Sequence, residues 1–350
     1  MKRKYILPLF LFIQILLVRI LAGFPEVIEV GYSKGFYPKL AHWSRKILGE
    51  IPFSVGDVLY FILIVLIIRW VWMRRIGFFS EWKSNGLIVL SGLSVGYFFF
   101  HLLWGMNYYR IPLHEKLELN KDYSLAQLLI FTEKMLVKTN ELQLQITKND
   151  AVAVVIPYSD AKIYNLAVKG YEKLPRDLNE FHYENKSIKN SLFSLPLSYM
   201  GFGGYLNPFT NEAQVNNLKP KYTSPLTTCH EMAHQTGIGS ESECNFIGFV
   251  AASNHDDLYF QYAAYSFALR YAITNLEVFK EGSSKPFLEK INTGVLKNFE
   301  QSELFWEQHN TPINAFFEWF YDKFLKANQQ KDGIEGYSKF IGLVIGYEKM

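Results

Sequence analysis

Two histidines and a glutamate stand at metal-ligand spacing in the stretch TCHEMAHQTG, residues 228–237. Residues four apart on an α-helix lie on one face, so the imidazoles of His230 and His234 can both direct a ring nitrogen at a single ion. Glu231 follows the first histidine directly, where its carboxylate can hold and deprotonate a water molecule at the metal. The pattern predicts a hydrolytic centre with two histidine ligands and Glu231 as general base.

The residues on either side of this stretch carry helix signals. Ser224 is a good N-cap and Pro225 suits the first helical position, while Gly237 and Gly239 supply the end. The His-Glu-x-x-His pattern alone arises by chance in roughly one chain in a hundred of this size. A catalytic zinc usually takes a further protein ligand and leaves one position for water or substrate, so a third ligand should follow downstream.

The next segment, GSESECNF at residues 239–246, offers two carboxylates for that role. Ser240 and Glu243 have the spacing of a capping box, which would give Glu243 a structural task. Glu241 is then free to bind metal, and Asn245 lies on the same helical face, where its amide can hydrogen-bond a ligand. We predict Glu241 as third ligand, with Glu243 as the alternative. Two imidazoles and a carboxylate suit Zn²⁺ best, one ion per chain.

This order of motifs resembles known families. His-Glu-x-x-His, a turn and then Glu-x-x-x-Asn/Asp resembles the gluzincin branch of zinc metallopeptidases, in which a glutamate of a second helix completes the site. The stretches WGMNYYRIPL, GGYLNPFTNEAQVN, PLTTCHEMAHQTGIGSESECNF and YDKFLKANQQKDGIEGYSKF resemble a family of bacterial membrane proteins, domain of unknown function family 3810. The resemblance implies a membrane-anchored zincin-like domain without indicating a substrate. Asn245 stands where gluzincins commonly carry Asp, and Cys244 stands where alanine is common.

The glycine-rich stretch before the histidine motif is the natural place for a substrate. Zincin-like peptidases bind a peptide as an added strand along a sheet edge beside the metal helix. Residues 190–216 carry Gly-Phe-Gly-Gly and Asn-Pro punctuation, which predicts short strands and turns. An ordinary hairpin turning at Asn207-Pro208 explains the same residues equally well, and both interpretations stay open. The candidate substrate-strand residues are Gly203, Gly204, Tyr205 and Asn207.

A hydrolytic transition state develops negative charge on oxygen, and a side chain beyond the metal usually helps to carry it. The sequence favours Arg270 and Tyr337 for this task without choosing between them. The other candidates are His255, His309 and Tyr321.

Three apolar runs near the N terminus have the length of membrane spans. The first could alternatively be a cleaved secretory signal. Basic residues precede the first run and join the second to the third, which places those segments in the cytoplasm and the later chain outside it. We therefore predict a multi-pass protein of a bacterial inner membrane with an extracytoplasmic C-terminal domain. The runs are residues 5–22, 57–73 and 87–106, and the basic residues are Lys2, Arg3, Lys4, Arg74, Arg75 and Lys83.

We divide the chain into a membrane region, 1–106, and a zincin-like domain, 107–350. Apolar residues three and four apart predict helices in the second region, at 124–143, 256–279 and 314–327. The predicted fold is mainly α, with transmembrane helices followed by an α+β domain whose small β-element precedes the histidine helix. The net charge of +3 and the lack of basic blocks argue against nucleic acid.

These patterns predict a membrane-anchored zinc-dependent hydrolase, a metallopeptidase first, whose partners are a peptide or protein substrate at the membrane surface and the lipid bilayer. One alternative is a non-catalytic zincin-like module that acts as an envelope receptor or assembly factor. Glu231 argues against it, because a structural metal site needs no base. Another is a sensor or transport component, which the scarcity of carboxylates within the spans disfavours.

Overall fold

The computed structural model describes residues 3–330, 333 and 339–348. The chain is mainly helical with one small sheet, as predicted. The helices are α1 Ile6–Leu21, α2 Pro25–Val27, α3 Tyr37–Leu48, α4 Val55–Arg74, α5 Trp82–Leu103, α6 Leu113–Lys116, α7 Leu125–Thr147, α8 Asp160–Glu172, α9 Ser194–Met200, α10 Ser224–Gln235, α11 Glu241–Ser253, α12 Leu258–Phe279, α13 Lys285–Leu288, α14 Thr293–His309, α15 Pro312–Ala327 and α16 Phe340–Tyr347. A π-helical segment, Ile28–Phe36, joins α2 to α3. The strands are β1 Ile188–Asn190, β2 Gly204–Asn207 and β3 Glu212–Val215.

Three helical stretches are long and apolar enough, by length and composition, to cross a membrane: Arg3–Leu21, Val55–Arg74 and Trp82–Leu103. At most 22% of each apolar window is buried within the protein, so most of these side chains need a covering other than protein. Gln14 of α1 donates to the Ser94 hydroxyl of α5 at 2.9 Å, which joins the first and third of them. The second and third begin earlier than the apolar runs, because Ser54 caps α4 and a polar turn leads into α5.

The sheet has the order β1-β3-β2. β1 runs parallel to β3, and β2 runs antiparallel to it with Gly204 opposite Val215 and Asn207 opposite Glu212. The connection between β2 and β3 is the predicted hairpin turn, in which the Asn207 side chain accepts from the amides of the following residues. β3 is buried in the centre and packs on α10, so the sheet forms a wall beside the histidine helix.

One helix lies where strands and turns were predicted. α9 occupies part of the region 190–216 and ends at Gly201, whose φ of +82° is in the left-handed region that favours glycine. The Ser198 hydroxyl of α9 accepts from the Asn216 side chain at 2.9 Å, so the helix is fixed by a contact with the residue after β3. The Gly-Phe-Gly-Gly and Asn-Pro residues indicated turns correctly, but the Leu-Pro-Leu run before them folds as a helix.

The main core surrounds α10 and α11, against which α8, α12 and α16 pack, while α7 packs against α12. α16, the last apolar run, is buried among these helices. A second cluster mixes residues from both sides of position 106: it joins Val18, Ile28, Tyr37 and Ala41 to Trp104, Met106, Tyr108 and Tyr109. The segments before position 106 therefore share a packed interface with the residues directly after it.

The segment between α1 and α4 caps the C-terminal end of α10. The Tyr37 hydroxyl donates to the Gln235 carbonyl at 2.9 Å, and the Arg45 guanidinium donates to the same carbonyl at 3.0 Å. Trp104, directly after α5, donates its indole N–H to the His234 carbonyl at 3.0 Å. These donors satisfy carbonyls that a helix end leaves without intrahelical partners. The N-terminal helices thereby fix the position of the histidine helix.

A buried ion cluster ties the π-helical segment to the residues after α5. The Arg110 guanidinium donates to both carboxylate oxygens of Glu29 at 2.8 and 2.9 Å, and the Lys116 ammonium lies 2.9 Å from one of them. Glu180 also contacts Arg110 and Lys116. Burial raises the pKa of Glu29, but hydrogen bonds and charge from Arg110 and Lys116 outweigh burial and lower this pKa from 4.5 to about 2.

We expect Glu29→Gln to lower the free energy of unfolding by about 3 kcal/mol, because the substitution leaves buried cations without their partner. Since the folded-state pKa lies below the unfolded-state value, the carboxylate stabilises the protein above pH 4.5 and loses this effect as the pH falls towards about 2. Thermal unfolding in detergent across that pH range measures both effects. Exposed Glu26→Gln is the matched control, and equal unfolding temperatures for the two variants would contradict the expectation.

Candidate metal centre

The histidine helix α10 and the following helix α11 form a tight pair around the candidate centre. α10 begins at Ser224, so Thr223 rather than Ser224 is the N-cap, and its side chain makes no capping hydrogen bond. A 3₁₀ turn at Lys221–Thr223 directly precedes the helix, so the backbone is already helical where α10 begins. After α10, Gly237 has φ of +92°, and an added Cβ there would lie 2.9 Å from the Tyr37 ring. A glycine is therefore required for the turn that returns α11 to the histidines.

His230, His234 and Glu241 converge on one point. The Nε2 atoms of His230 and His234 lie 3.1 and 3.4 Å from the same Glu241 oxygen, Oε2. One potential ligand atom from each of the three residues falls within 4.8 Å of the others, and all three residues are buried. Two imidazole nitrogens and a carboxylate oxygen around one point form a set of donors that fits zinc.

The Nδ1 atom of each histidine contacts a group outside the cluster of His230, His234 and Glu241, and these contacts orient both imidazoles. The Nδ1 of His234 lies 2.8 Å from the Ile238 carbonyl oxygen, which can only accept, so this nitrogen carries a proton and Nε2 is the ring nitrogen that faces Glu241. The Nδ1 of His230 lies 2.8 Å from the Asn245 amide oxygen. Asn245 thus occupies the predicted orienting position. The Cys244 thiol lies 3.2 Å from the Nδ1 of His234, and it is buried and unpaired, as is Cys229.

The second oxygen of Glu241 is bound by a tyrosine. The Tyr321 hydroxyl donates to Glu241 Oε1 at 2.5 Å, which leaves Oε2 facing the histidines. Burial raises the pKa of Glu241, but the charges and hydrogen bonds of His234 and His230 outweigh it and hold this pKa well below its ordinary value. The carboxylate is therefore anionic and suited to a cation.

Glu243 lies apart from the cluster. Its Oε1 accepts from the Leu113 amide at 2.6 Å, and burial raises its pKa to about 7. The expected capping box with Ser240 is absent, because the Ser240 hydroxyl pairs instead with the Ser242 hydroxyl at 3.0 Å. The start of α6 and the nearby Arg110 draw the Glu243 carboxylate away from the N-terminus of its own helix. Glu243 therefore bonds the start of α6 and not the predicted partner, Ser240.

Glu231 has the environment expected of a general base. Its side chain is buried beside the histidines, and Oε2 has no hydrogen-bond partner among the described residues. Burial raises the pKa of Glu231 to about 7, although the histidines and Lys219 act to lower it. A buried carboxylate oxygen without a partner is costly unless something else binds there, so this atom fits a centre that takes a further ligand.

A cleft of about 690 Å³ opens beside His230 and Glu231. Its walls come from the stretch before β2 and from α12, α14 and α15. The residues of these walls that bear on the chemistry are Gly203, Gly204, Lys219, Arg270 and Tyr321. The cleft therefore gives a substrate access to the candidate base.

The structure separates the four candidate substrate-strand residues. Gly203 and Gly204 line the cleft. The Tyr205 hydroxyl instead bonds buried Asp57 at the start of α4, and Asn207 is buried in the hairpin turn. Gly203 accepts from the Asn216 amide at 3.0 Å, so by antiparallel alternation the N–H and C=O of Gly204 point away from β3. In the described sheet, β2 is an edge strand.

We expect Gly204→Ala to lower the free energy of unfolding by about 1–3 kcal/mol. An added Cβ would lie 2.6 Å from Glu231 Oε1 and 2.7 Å from the Gln214 carbonyl oxygen, so backbone or carboxylate must shift. Gly203→Ala is the matched control, because its nearest neighbours lie 3.7 Å away. Chemical unfolding of both variants tests this, and equal stability of the two would show that Glu231 does not need the space beside Gly204.

The charge-stabilising candidates fall in different places. Arg270 lines the cleft and pairs with Glu303 at 3.3 Å, whereas Tyr337 lies outside the described residues. The His255 ring bonds the Leu166 carbonyl of α8, and the His309 ring bonds the Phe305 carbonyl of its own helix. Tyr321 is the candidate that contacts a predicted ligand, although the sequence did not favour it.

Lys219 is a cleft residue that the sequence analysis missed. Its ammonium group donates to the Thr223 hydroxyl at 2.8 Å, and burial lowers the pKa of this lysine to about 7 although Glu231 acts to raise it. It is one of many lysines in the chain and stands in no recognisable motif, so no sequence signal distinguished it.

Comparisons with known proteins give one match. The family described as "Protein of unknown function (DUF3810)" matches residues 32–345, a range that includes α4, α5, the sheet and both helices of the candidate centre. No curated protein and no solved structure matches the chain. Because the matched range covers most of its length, the chain belongs to the DUF3810 family.

Proposed function

We propose that this protein is a membrane-anchored, zinc-dependent hydrolase, and that its reaction is peptide-bond hydrolysis. The observation that carries the proposal is the convergence of His230, His234 and Glu241 Oε2 beside a cleft. This cleft also contains Glu231, whose buried Oε2 has no partner in the part of the chain that the structure describes. A structural site would have no use for that carboxylate. A reactive site needs it.

The ligands would be His230 and His234 through Nε2 and Glu241 through Oε2. When bound, a zinc ion would polarise the substrate carbonyl and lower the pKa of a water molecule. Glu231 takes a proton from the attacking water at Oε2 and then donates it to the leaving amine. Burial keeps competing water from the Glu231 carboxylate and strengthens its electrostatic interactions.

The edge of β2 would hold the substrate as an added strand. The outward N–H and C=O of Gly204 offer one hydrogen-bonding pair, and this residue adjoins Glu231, so a bound peptide would pass the base. A glycine here lets both the peptide and the Glu231 carboxylate approach the backbone. This placement supports a polypeptide substrate over a small molecule.

The membrane arrangement follows from charge and from the position of the centre. Arg74 and Arg75 end α4, and Lys83 begins α5, so we assign their connection to the cytoplasm. Trp104, at the opposite end of α5, contacts the histidine helix. The centre would thus lie on the extracytoplasmic side of a bacterial inner membrane, immediately above the bilayer.

A peptide library tests the proposed activity. The zinc-loaded protein in detergent should cleave a subset of peptides at defined bonds, as detected by mass spectrometry, and a chelator should abolish cleavage until zinc is restored. Identical peptide patterns with and without chelator, in preparations shown to contain zinc, would contradict hydrolysis at this centre.

A further inference from the structure

α15 exposes a large apolar face. Ile313, Phe316, Trp319 and Phe320 are 54%, 55%, 59% and 51% exposed. Their spacing of three and four residues places them along one side of the helix. Contiguous exposed aromatic side chains on a folded protein indicate a surface that something else covers. Phe and Trp on one face of a helix with charged residues elsewhere are typical of helices that lie in a membrane interface.

The opposite side of α15 belongs to the candidate centre. Tyr321 donates to Glu241, and its ring packs on Phe202 with the ring centroids 4.9 Å apart. Glu318 and Tyr321 both line the cleft. One helix therefore contributes a wall of the cleft and an exposed aromatic surface.

Contacts with α5 set the level of α15 relative to the membrane-spanning stretches. The Phe324 ring lies 6.1 Å from the Phe100 ring and 6.0 Å from the Tyr108 ring, centroid to centroid. Phe100 belongs to the last turn of α5, within the apolar stretch that is long enough to span. The C-terminal end of α15 therefore lies beside the end of that stretch, the level at which a spanning helix would leave the hydrocarbon for the lipid headgroups.

A second apolar surface continues from α15 to α4. Leu192 and Leu195, 59% and 53% exposed, lie just before and within α9, which packs against α15. The Leu192 amide donates to Asp57 at 2.7 Å, in the first turn of α4. The exposed apolar residues therefore follow the outer ends of both α4 and α5, so one bilayer surface can cover them all.

We propose that α15 lies in the outer interface of the bilayer, with Phe316, Trp319 and Phe320 inserted at the boundary between headgroups and acyl chains. The mouth of the cleft is then held at the lipid surface. On the proposed hydrolytic function, the substrate is a polypeptide held at that surface, such as the segment next to a membrane span or a lipid attachment, instead of a freely diffusing peptide.

Spin-label depth measurements test the position of α15 with the full chain in nanodiscs of phosphatidylglycerol and phosphatidylcholine. Nitroxides are attached to Phe316→Cys and Trp319→Cys, while Ile130→Cys on the exposed face of α7 serves as a water-facing control and Ile64→Cys in α4 as a lipid-facing one. The native Cys229 and Cys244 are fully buried, and treating the parent protein with the same spin-label reagent measures any labelling of these two residues.

Labels at 316 and 319 are expected to collide more often with oxygen than with a polar nickel chelate. Their ratio of oxygen to nickel accessibility should lie between the ratios measured for the labels at 64 and 130. Nickel accessibility equal to that at 130 would overturn the proposal. Because the measurement requires neither zinc nor turnover, it can fail while hydrolysis stands, and hydrolysis can fail while it succeeds.

The substrate class is tested with one peptide in two forms, free and attached to a lipid, in proteoliposomes. The attached form is expected to be cleaved at least tenfold faster, and Phe316→Ser/Trp319→Ser is expected to lower this ratio. Equal rates for the two forms in the parent protein would overturn the assignment of a membrane-held substrate.

Discussion

Glu231→Gln is expected to lower kcat by about 10²–10⁴-fold while zinc remains bound, the range typical of a positioned general acid-base group. The amide has nearly the same shape as the carboxylate but cannot accept the proton from the attacking water. Glu231 is distinct from the three ligand atoms that converge on the centre, so the substitution leaves those ligands in place. Catalysis and metal binding should therefore separate in this variant.

The measurement is turnover of a peptide identified from the library, together with zinc content and unfolding temperature of the same preparations. Glu300→Gln, an identical substitution at an exposed position of α14, controls for the change of charge. Full activity in Glu231→Gln would contradict the role of this residue. An unchanged cellular phenotype as well would favour the non-catalytic receptor or assembly module.

Glu241→Gln is expected to weaken zinc binding by more than about a hundredfold. Loss of a residue that only hydrogen-bonds a metal ligand weakens binding by up to about a hundredfold, and loss of a ligand should cost more. Glu241 is the carboxylate whose oxygen faces both Nε2 atoms, and its replacement leaves only two protein ligands of the three. A neutral amide also removes the anion that offsets the charge of the metal in a buried site.

Competitive titration against a chromophoric chelator measures this affinity. Glu243→Gln is the matched control from the same helix, because its amide oxygen can still accept from Leu113 and its position is away from the cluster. Weakened binding in Glu243→Gln with unchanged binding in Glu241→Gln would reverse the assignment of the third ligand.

The parts of the site that the sequence predicts are those fixed by local geometry. His230 and His234 are one helical turn apart on α10. A short turn leads into α11, where Glu241 and Asn245 are again one helical turn apart, so local geometry predicts that all four residues face one another. Tyr321 is different, since 80 residues separate it from Glu241. The chain has 22 tyrosines, and the tertiary placement of α15, which packs on α9, brings this one to Glu241.

The fold shows the same division. The apolar runs and the periodic segments become helices close to the predicted positions, because length and pattern are local properties. The packing of α3 against the end of α10 depends on Tyr37 and Arg45 meeting the Gln235 carbonyl across the chain, and no local pattern encodes that. The same holds for β1, which pairs in parallel with a strand beyond α9 and β2.

Elemental analysis of the detergent-purified protein after mild dialysis tests the metal centre most directly. The parent should contain about one zinc per chain, and His234→Ala and Glu241→Ala should contain none, as expected for a site with three protein ligands. A parent protein that holds no metal and also fails to bind added zinc would contradict the metal centre. His230, Glu231 and His234 would then be a chance arrangement on a buried helix.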